Sequence, residues 1–262
     1  MGSAALHIAR TGLDAQDTRM RVISNNLANV NTTAFKKDRA SFETLAYQVV
    51  TAPGAASTAE TKYATGLNLG TGVRIQGTQR LETQGSLQTT GNGLDMAIDG
   101  NGYFQIQLPG GGLGYTRAGN FSRSAEGQLV TAEGYQVMPG VTIPEGAISV
   151  TVGSDGTVSA QMPNQTDLTQ IGQIQVASFP NPAGLQAVGD NYLIETPASG
   201  TVALGNAGID GRGTIRQGML EGSNVNVVEE LVDMIETQRA YEVNSKMIKS
   251  TDEMLQYANQ NL

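Results

Sequence analysis

Cysteine and tryptophan are absent from the 262 residues, histidine occurs once, and aromatic side chains make up only 5%. Without cysteine there is no disulfide, no thiolate metal site and no cysteine nucleophile, and nothing ties the chain to one redox compartment. A single His7 argues against a multi-histidine metal centre and against a Ser-His-Asp triad. It reads instead as a solvated residue on a first helix. No apolar run approaches the length of a membrane span, about 18 residues or more. The first ten residues lack the basic start and long apolar core of a secretory signal, so any export is expected to use another route. Positive charge is in deficit: the net charge of −8 argues against a nucleic-acid partner. What the chain has in quantity is glycine, 33 residues of it, which points to many turns and few large core anchors.

The two ends carry seven-residue repeats. Near the start, Leu6, Leu13, Met20 and Leu27 form one series, and Ala9, Gln16, Ile23 and Val30 form another. Seven of these eight positions are apolar, Gln16 being the exception, which is the pattern of a coiled-coil seam. The Asn-rich run from Asn25 to Asn31 should end this first helix, because asparagine tolerates the left-handed conformation. Near the end, Val227, Met234, Tyr241, Ile248, Leu255 and Leu262 recur at sevens in a stretch free of glycine and proline. Ser223, Asn224 and Asn226 are candidate N-caps, and Glu229 and Glu230 suit the positive end of a helix dipole. Val228, Leu231 and Ile235 widen that seam. Val243, Met247 and Met254 lie roughly opposite it, and two apolar stripes on one helix ask for more than one neighbour.

The middle differs from both ends. Phe104, Ile106 and Leu108 alternate, as do Ile148, Val150 and Val152, and Ile174 with Val176. Turn pairs separate them: Asn92-Gly93, Asp99-Gly100, Asn101-Gly102, Glu126-Gly127, Glu133-Gly134, Asp155-Gly156 and Asp210-Gly211. The expected fold is therefore mainly β with α: long N- and C-terminal helices forming a coiled-coil layer, and an all-β middle domain. The expected divisions are a helix over 1–34, an extended connector or long hairpin over 35–75, a β domain over 76–219 and a helix over 220–262. Residues 51–65, with Pro53 and Gly54, read as an exposed tip.

No motif carries strong chemistry. Gly70-Thr-Gly72 lacks the third glycine of a dinucleotide fingerprint, and no phosphate-binding loop of the Gly-Lys-Ser/Thr kind occurs. Asp95 and Asp99 invite comparison with a glycosidase pair, but turn and strand-end carboxylates are the plainer reading. Asp99-Gly-Asn101-Gly lacks the remaining spaced ligands of a calcium loop. The reading is of no catalytic, cofactor or metal site. Glu236, Arg239 and Glu242 stand at steps of three on the last helix, where charges flanking a seam set register between helices. Lys36, Lys37 and Arg39 form a basic cluster, which is either solvated or paired with an acidic helix face of a neighbour.

These stretches carry a resemblance. Ser24 to Lys37 (SNNLANVNTTAFKK) and Ser223 to Lys246 (SNVNVVEELVDMIETQRAYEVNSK) resemble the N- and C-terminal signatures of the bacterial flagellar rod and hook proteins. Gln84 to Leu87, Leu94 to Phe104 (LDMAIDGNGYF), Tyr115-Thr-Arg117 and Gly127 to Tyr135 (GQLVTAEGY) resemble the family's middle, so the likeness covers nearly the whole chain. It implies a non-enzymatic subunit that polymerises into the straight distal rod of the basal body, with terminal helices as an inner tube. It implies export by the flagellar apparatus without a cleaved signal, and a place in the periplasm. Implied partners are copies of itself, adjoining proximal-rod and hook subunits, surrounding ring proteins and the export apparatus, with no membrane insertion. Tyr47 to Ala55, including Pro53, resembles a segment that locks neighbouring subunits. Leu6, Leu13, Met20, Ile23, Leu27, Val227, Leu231, Met234, Tyr241, Ile248 and Leu255 are expected to pack the helical core. Asn25, Asn26, Asn29, Asn31, Lys36, Lys37, Tyr47, Pro53, Glu236, Arg239, Met247 and Met254 are expected at contacts between subunits. The family commonly has glycine where Ala34 stands and alanine where Arg10 stands. Alternatives are a proximal-rod or hook-type subunit and, outside the flagellum, a secreted carbohydrate-active β protein. The helical ends are expected to stay disordered in the monomer until neighbours bury them.

Overall fold

In the computed structural model, which describes residues 2–55, 63–163 and 167–260, both seven-residue repeats fall on helices among the described residues, except at Val30, which lies in the turn that follows the first. Helix α1 spans Gly2–Ala28, and helix α2 spans Val227–Gln260, 34 residues with no proline or glycine to interrupt them. At about 1.5 Å per residue α2 is roughly 50 Å long. Of the three candidate caps, Asn226 does the capping: its Oδ1 accepts the Val228 N–H at 3.1 Å and its carbonyl accepts the Glu230 N–H at 3.0 Å. Between the helices the chain is a succession of short strands, so the class is mainly β with α.

Packing divides the chain into two compact units. The first holds α1, residues 38–79 and α2. Within it, strand Asp38–Thr44 pairs with strand Val73–Arg80, and Gln48–Thr51 runs antiparallel to Leu67–Leu69. Gly72 brings this β ribbon onto α1. It has φ of 118°, and a Cβ there would stand 2.2 Å from the Thr11 Oγ1 of the helix, so only glycine fits. Tyr47, Val49, Val50, Leu67 and Leu69 on the ribbon are all exposed.

The second unit comprises residues 29–37 and 80–225. Its largest sheet is antiparallel, in the order Gln186–Gly189, Tyr192–Ile194, Leu113–Thr116, Tyr103–Gln107, Gln175–Ser178, Ala203–Asn206. Strands 149–152, 157–161 and 169–173 form a smaller antiparallel sheet. The turn glycines explain the strand lengths: Gly100, Gly102, Gly127, Gly134, Gly156 and Gly211 all have positive φ, while Gly93 does not. Alternation of Phe104 and Ile106 marks one face of a central strand, and both are fully buried with Met96, Ile98, Phe121, Ile174 and Val176. The other face is buried as well. Tyr103 joins Tyr115, Phe179 and Leu193 in a second cluster, with Tyr115 and Phe179 edge-to-face at 4.8 Å. The alternation at Ile148 stops short of expectation, since the strand begins at Ser149 and Ile148 is exposed.

Residues 29–37, read from sequence as helix end and connector, pack into this second unit. Ala34 is the reason the chain can turn there. It has φ of 57°, it is buried, and its N–H donates to the Glu221 carbonyl at 2.8 Å. A β-branched side chain fits poorly in that left-handed conformation, whereas glycine enters it freely. Ala34→Val is expected to destabilise this unit by about 2 kcal/mol, and Ala34→Gly to stay within about 1 kcal/mol of the parent. Urea denaturation of the two variants checks the asymmetry; equal losses would contradict it.

Candidate assembly site

The first unit is built around an antiparallel pairing of α1 and α2, seen in the matched positions of their side chains. Asn26 Nδ2 donates to Glu230 Oε2 at 3.1 Å. Arg19 pairs with Asp233 at 3.3 Å. A Cβ on Gly12 would lie 3.1 Å from Asn244 Nδ2, so the missing side chain is the notch that admits Asn244. Positions descend on α1 as they rise on α2. The stripe of α2 turned to α1 carries Glu230 and Thr237, both buried, and then Asn244 and Thr251 at the same seven-residue step.

The opposite face of α2 carries large apolar side chains that nothing covers. Val228 is 70% exposed, Met254 67% and Tyr257 72%, and Val232, Ile235, Val243 and Met247 are about half exposed or more. At 100° per residue these side chains cluster on one side and the α1-facing set on the other. The helix therefore leaves a row of large apolar side chains in water, interspersed with the exposed Glu236, Arg239 and Lys246.

The sequence-predicted packing residues fall into two groups. Ile23 is buried, and Leu6, Leu13, Met20, Leu27, Met234 and Ile248 are half-buried. Val227, Leu231 and Tyr241 are exposed in the single chain, because α1 covers only one stripe of α2. The side chain of Leu255, and Leu262, lie outside the described residues. Among the residues expected between subunits, Asn25, Asn31, Tyr47, Pro53, Glu236, Arg239, Met247 and Met254 are exposed, and Asn29 and Lys37 half-buried. Asn29 Oδ1 accepts the Thr32 hydroxyl at 3.1 Å, and the Lys37 N–H donates to Asn224 Oδ1 at 2.7 Å.

Two more of that set are buried within their own chain instead. Asn26 is only 2% exposed: besides Glu230, its Nδ2 donates to the Asp38 carbonyl at 2.9 Å and its Oδ1 accepts the Asp38 N–H at 3.0 Å. It does not stop α1 but anchors it. Lys36 is buried in the second unit, where its Nζ meets Glu221 Oε1 at 2.5 Å and the Thr83 carbonyl at 2.8 Å. The expected surface lysine is half of an internal ion pair. On the other oxygen, Arg117 Nε donates to Glu221 Oε2 at 2.7 Å, and the Gly85 N–H donates to Oε1 at 2.9 Å. The guanidinium also serves the carbonyls of Ile98, Gly100 and Gly102 at 3.0–3.1 Å.

One carboxylate thus serves two buried cations. Burial alone would raise the Glu221 pKa, but the Arg117 charge and the Lys36 hydrogen bond and charge hold it below the usual carboxylate value. Burial, with the Arg117 charge second, pushes the Lys36 pKa down. Glu221, Thr237 and Asn244 were not singled out from sequence, and Glu230 was read only as a match to the helix dipole. Nothing near Glu221 announces a pairing that spans 185 positions to Lys36. The other three were legible: their seven-residue spacing is itself a periodic signal, offset from the apolar series. Asp95 and Asp99, the pair that invites comparison with a glycosidase's, have structural partners. Asp95 accepts Thr90 Oγ1 at 2.7 Å and Asn92 Nδ2 at 2.9 Å, and Asp99 pairs with Arg216 at 3.0 Å.

The sequence that builds this geometry has relatives among known proteins. Residues 6–36 match the family described as flagella basal body rod protein, 97–160 the flagellar hook protein FlgE/F/G D1 domain, and 216–261 the flagellar basal body rod FlgEFG protein C-terminal region. The flagellar basal-body rod protein FlgG of Buchnera aphidicola subsp. Acyrthosiphon pisum is 47% identical over 98% of each chain. The chain belongs to the flagellar rod and hook protein family. FlgG of Agrobacterium fabrum is 46% identical over 98% of this chain and 99% of its own. FlgF of Caulobacter vibrioides, another basal-body rod protein, is 34% identical over 93% of this chain. The match thus favours the FlgG branch of the family, and those relatives are structural rod proteins.

Glu221 gives the β unit of this rod-family chain a defined acid response. Its pKa is lower folded than unfolded, so its contribution is complete above the unfolded value of about 4.5 and is lost as pH falls through the folded one. Glu221→Gln is expected to cost about 3–5 kcal/mol near neutral pH, because it leaves two buried cations without their counter-charge. Urea titrations of parent and variant across acidic pH check both points; a loss that is the same at every pH would contradict them.

Proposed function

We propose that this chain is a structural subunit of the straight distal rod of the flagellar basal body, a polymer that carries torque from motor to hook. The observation that supports it most is the outward apolar face of α2. Burying a large apolar side chain contributes about 1.5–3 kcal/mol, so the exposed stripe represents on the order of 10 kcal/mol of attraction left unused in one chain. Contiguous apolar surface of that kind marks an interaction site. The partner that suits it is another copy, because a head-to-tail contact whose rotation does not close builds an open helical filament. Stiffness follows from the same geometry: a helix gripped by α1 on one side and by a neighbour on the other cannot bend away from either.

Several further points belong to this reading. The subunit is exported to the periplasm without a cleaved signal, adjoins proximal-rod and hook subunits at its two ends, and is surrounded by ring proteins. The exposed ribbon with Tyr47, Val49 and Val50 gives each subunit a second apolar surface for lateral contacts. The protein turns over no substrate; its work is mechanical.

Val232→Asp and Ile235→Asp test the proposal. Each side chain is half exposed, so each variant should keep its folding stability within about 0.5 kcal/mol of the parent. In cells whose own gene is replaced by either variant, electron microscopy of basal bodies should show rods that stop short, without hooks. Complete rods and hooks from both variants would overturn the assignment of this face.

A further inference from the structure

The surface between α1 and α2 poses a problem of register. The apolar series on the two helices repeat every seven residues, so sliding one helix by seven against the other replaces Met234 by Val227 or Tyr241 and keeps the apolar contacts nearly unchanged. Yet the buried positions of α2, Glu230 and Thr237, are polar, and the polar groups of the two helices are matched unequally. Going down α1 in steps of seven, Asn26 meets a carboxylate, Arg19 makes an ion pair, and Gly12 offers a notch to an amide. A slip by seven removes all three matches at once.

We propose that the Asn26–Glu230 contact, supported by Arg19–Asp233, is the specificity determinant that sets the register of the α1–α2 pair. Asn26 is suited to the task because its amide is already oriented. Its two hydrogen bonds to the Asp38 backbone, at 2.9 and 3.0 Å, hold the side chain in one rotamer and point Nδ2 at Glu230. Glu230 is 4% exposed, so a slipped pair would bury its carboxylate without that donor. A single buried polar contact that excludes alternative registers at some cost in stability is a known device in helix pairs. Its consequence reaches beyond the pair, because the register of α2 fixes which residues make up the outward apolar face. The inference concerns contacts within one chain, and stands or falls apart from the identity of the polymer.

The absence of cysteine makes the test direct. A Cβ at Gly12 lies 3.5 Å from Asn244 Cγ, within the reach of a disulfide. Gly12→Cys with Asn244→Cys therefore reports the native register, while Gly12→Cys with Thr237→Cys or with Thr251→Cys reports a slip of seven either way. Each pair is oxidised in the purified full-length chain. The parent background should form only the 12/244 disulfide. Glu230→Leu should keep the helical circular dichroism and thermal midpoint, yet lose part of the 12/244 product to a slipped disulfide. Glu230→Gln, which can still accept from Asn26, should restore the native product alone. Exclusive 12/244 bonding in Glu230→Leu would overturn the proposal, as would slipped bonding or no disulfide in the parent. Loss of helix and of all disulfides in Glu230→Leu would also overturn it, assigning the residue to stability and not to register.

Discussion

One helix covers one stripe of another, and the rest of this structure depends on that limit. α1 takes the stripe of α2 that carries Glu230, Thr237 and Asn244, and leaves uncovered the side that carries Val228, Val232, Ile235 and Met254. So many large apolar side chains left in water mark a surface that another molecule covers. Here the polar stripe suits a contact that must be specific, and the apolar stripe suits one that must be strong. A helix pair in register presents its outward face at a fixed phase, and repeated copies can then meet it in the same way each time.

The β unit meets a different constraint. Its polar centre, Glu221 between Lys36 and Arg117, stabilises little compared with an apolar core, since three charges lose their hydration there. What it contributes is position. Lys36 follows the turn at Ala34, Gly85 precedes strand Leu87–Thr89, and Glu221 ends strand Met219–Glu221, so one carboxylate ties together segments far apart in sequence. Asn224 adds to this by accepting from the Lys37 N–H and donating to the carbonyls of Leu81 and Thr83. These are the residues where the chain enters and leaves the unit.

Much of this was legible in the residues and some was not, for reasons that differ by element. The helices could be read because a seven-residue repeat without glycine or proline has few other meanings, as Met234 and Ile248 illustrate. Turns could be read because Gly102 or Gly156 beside asparagine or aspartate announces a positive φ that the structure contains. Tyr103 was harder: it alternates with Phe104 and looks like a solvent face until a second cluster covers it. Lys36 and Asn26 misled for a related reason. Charge and amide suggest surface, and only partners far along the chain, Glu221 and Glu230, reveal that both are buried. Local pattern carries the elements, but it does not carry pairings between distant polar groups.

The most direct test of this account uses single cysteines on α2 of an otherwise cysteine-free chain. Val228, Ile235 and Met254 sample the outward face, and Thr237 the face against α1. Thiol labelling is compared in the soluble subunit and in rods isolated from complemented cells. The account predicts that the three outward positions label rapidly in the subunit and become protected in the rod, with Thr237 slow in both. Outward positions that label as readily in the rod as in the subunit would contradict it, and the exposed stripe would then need an occupant other than a second copy.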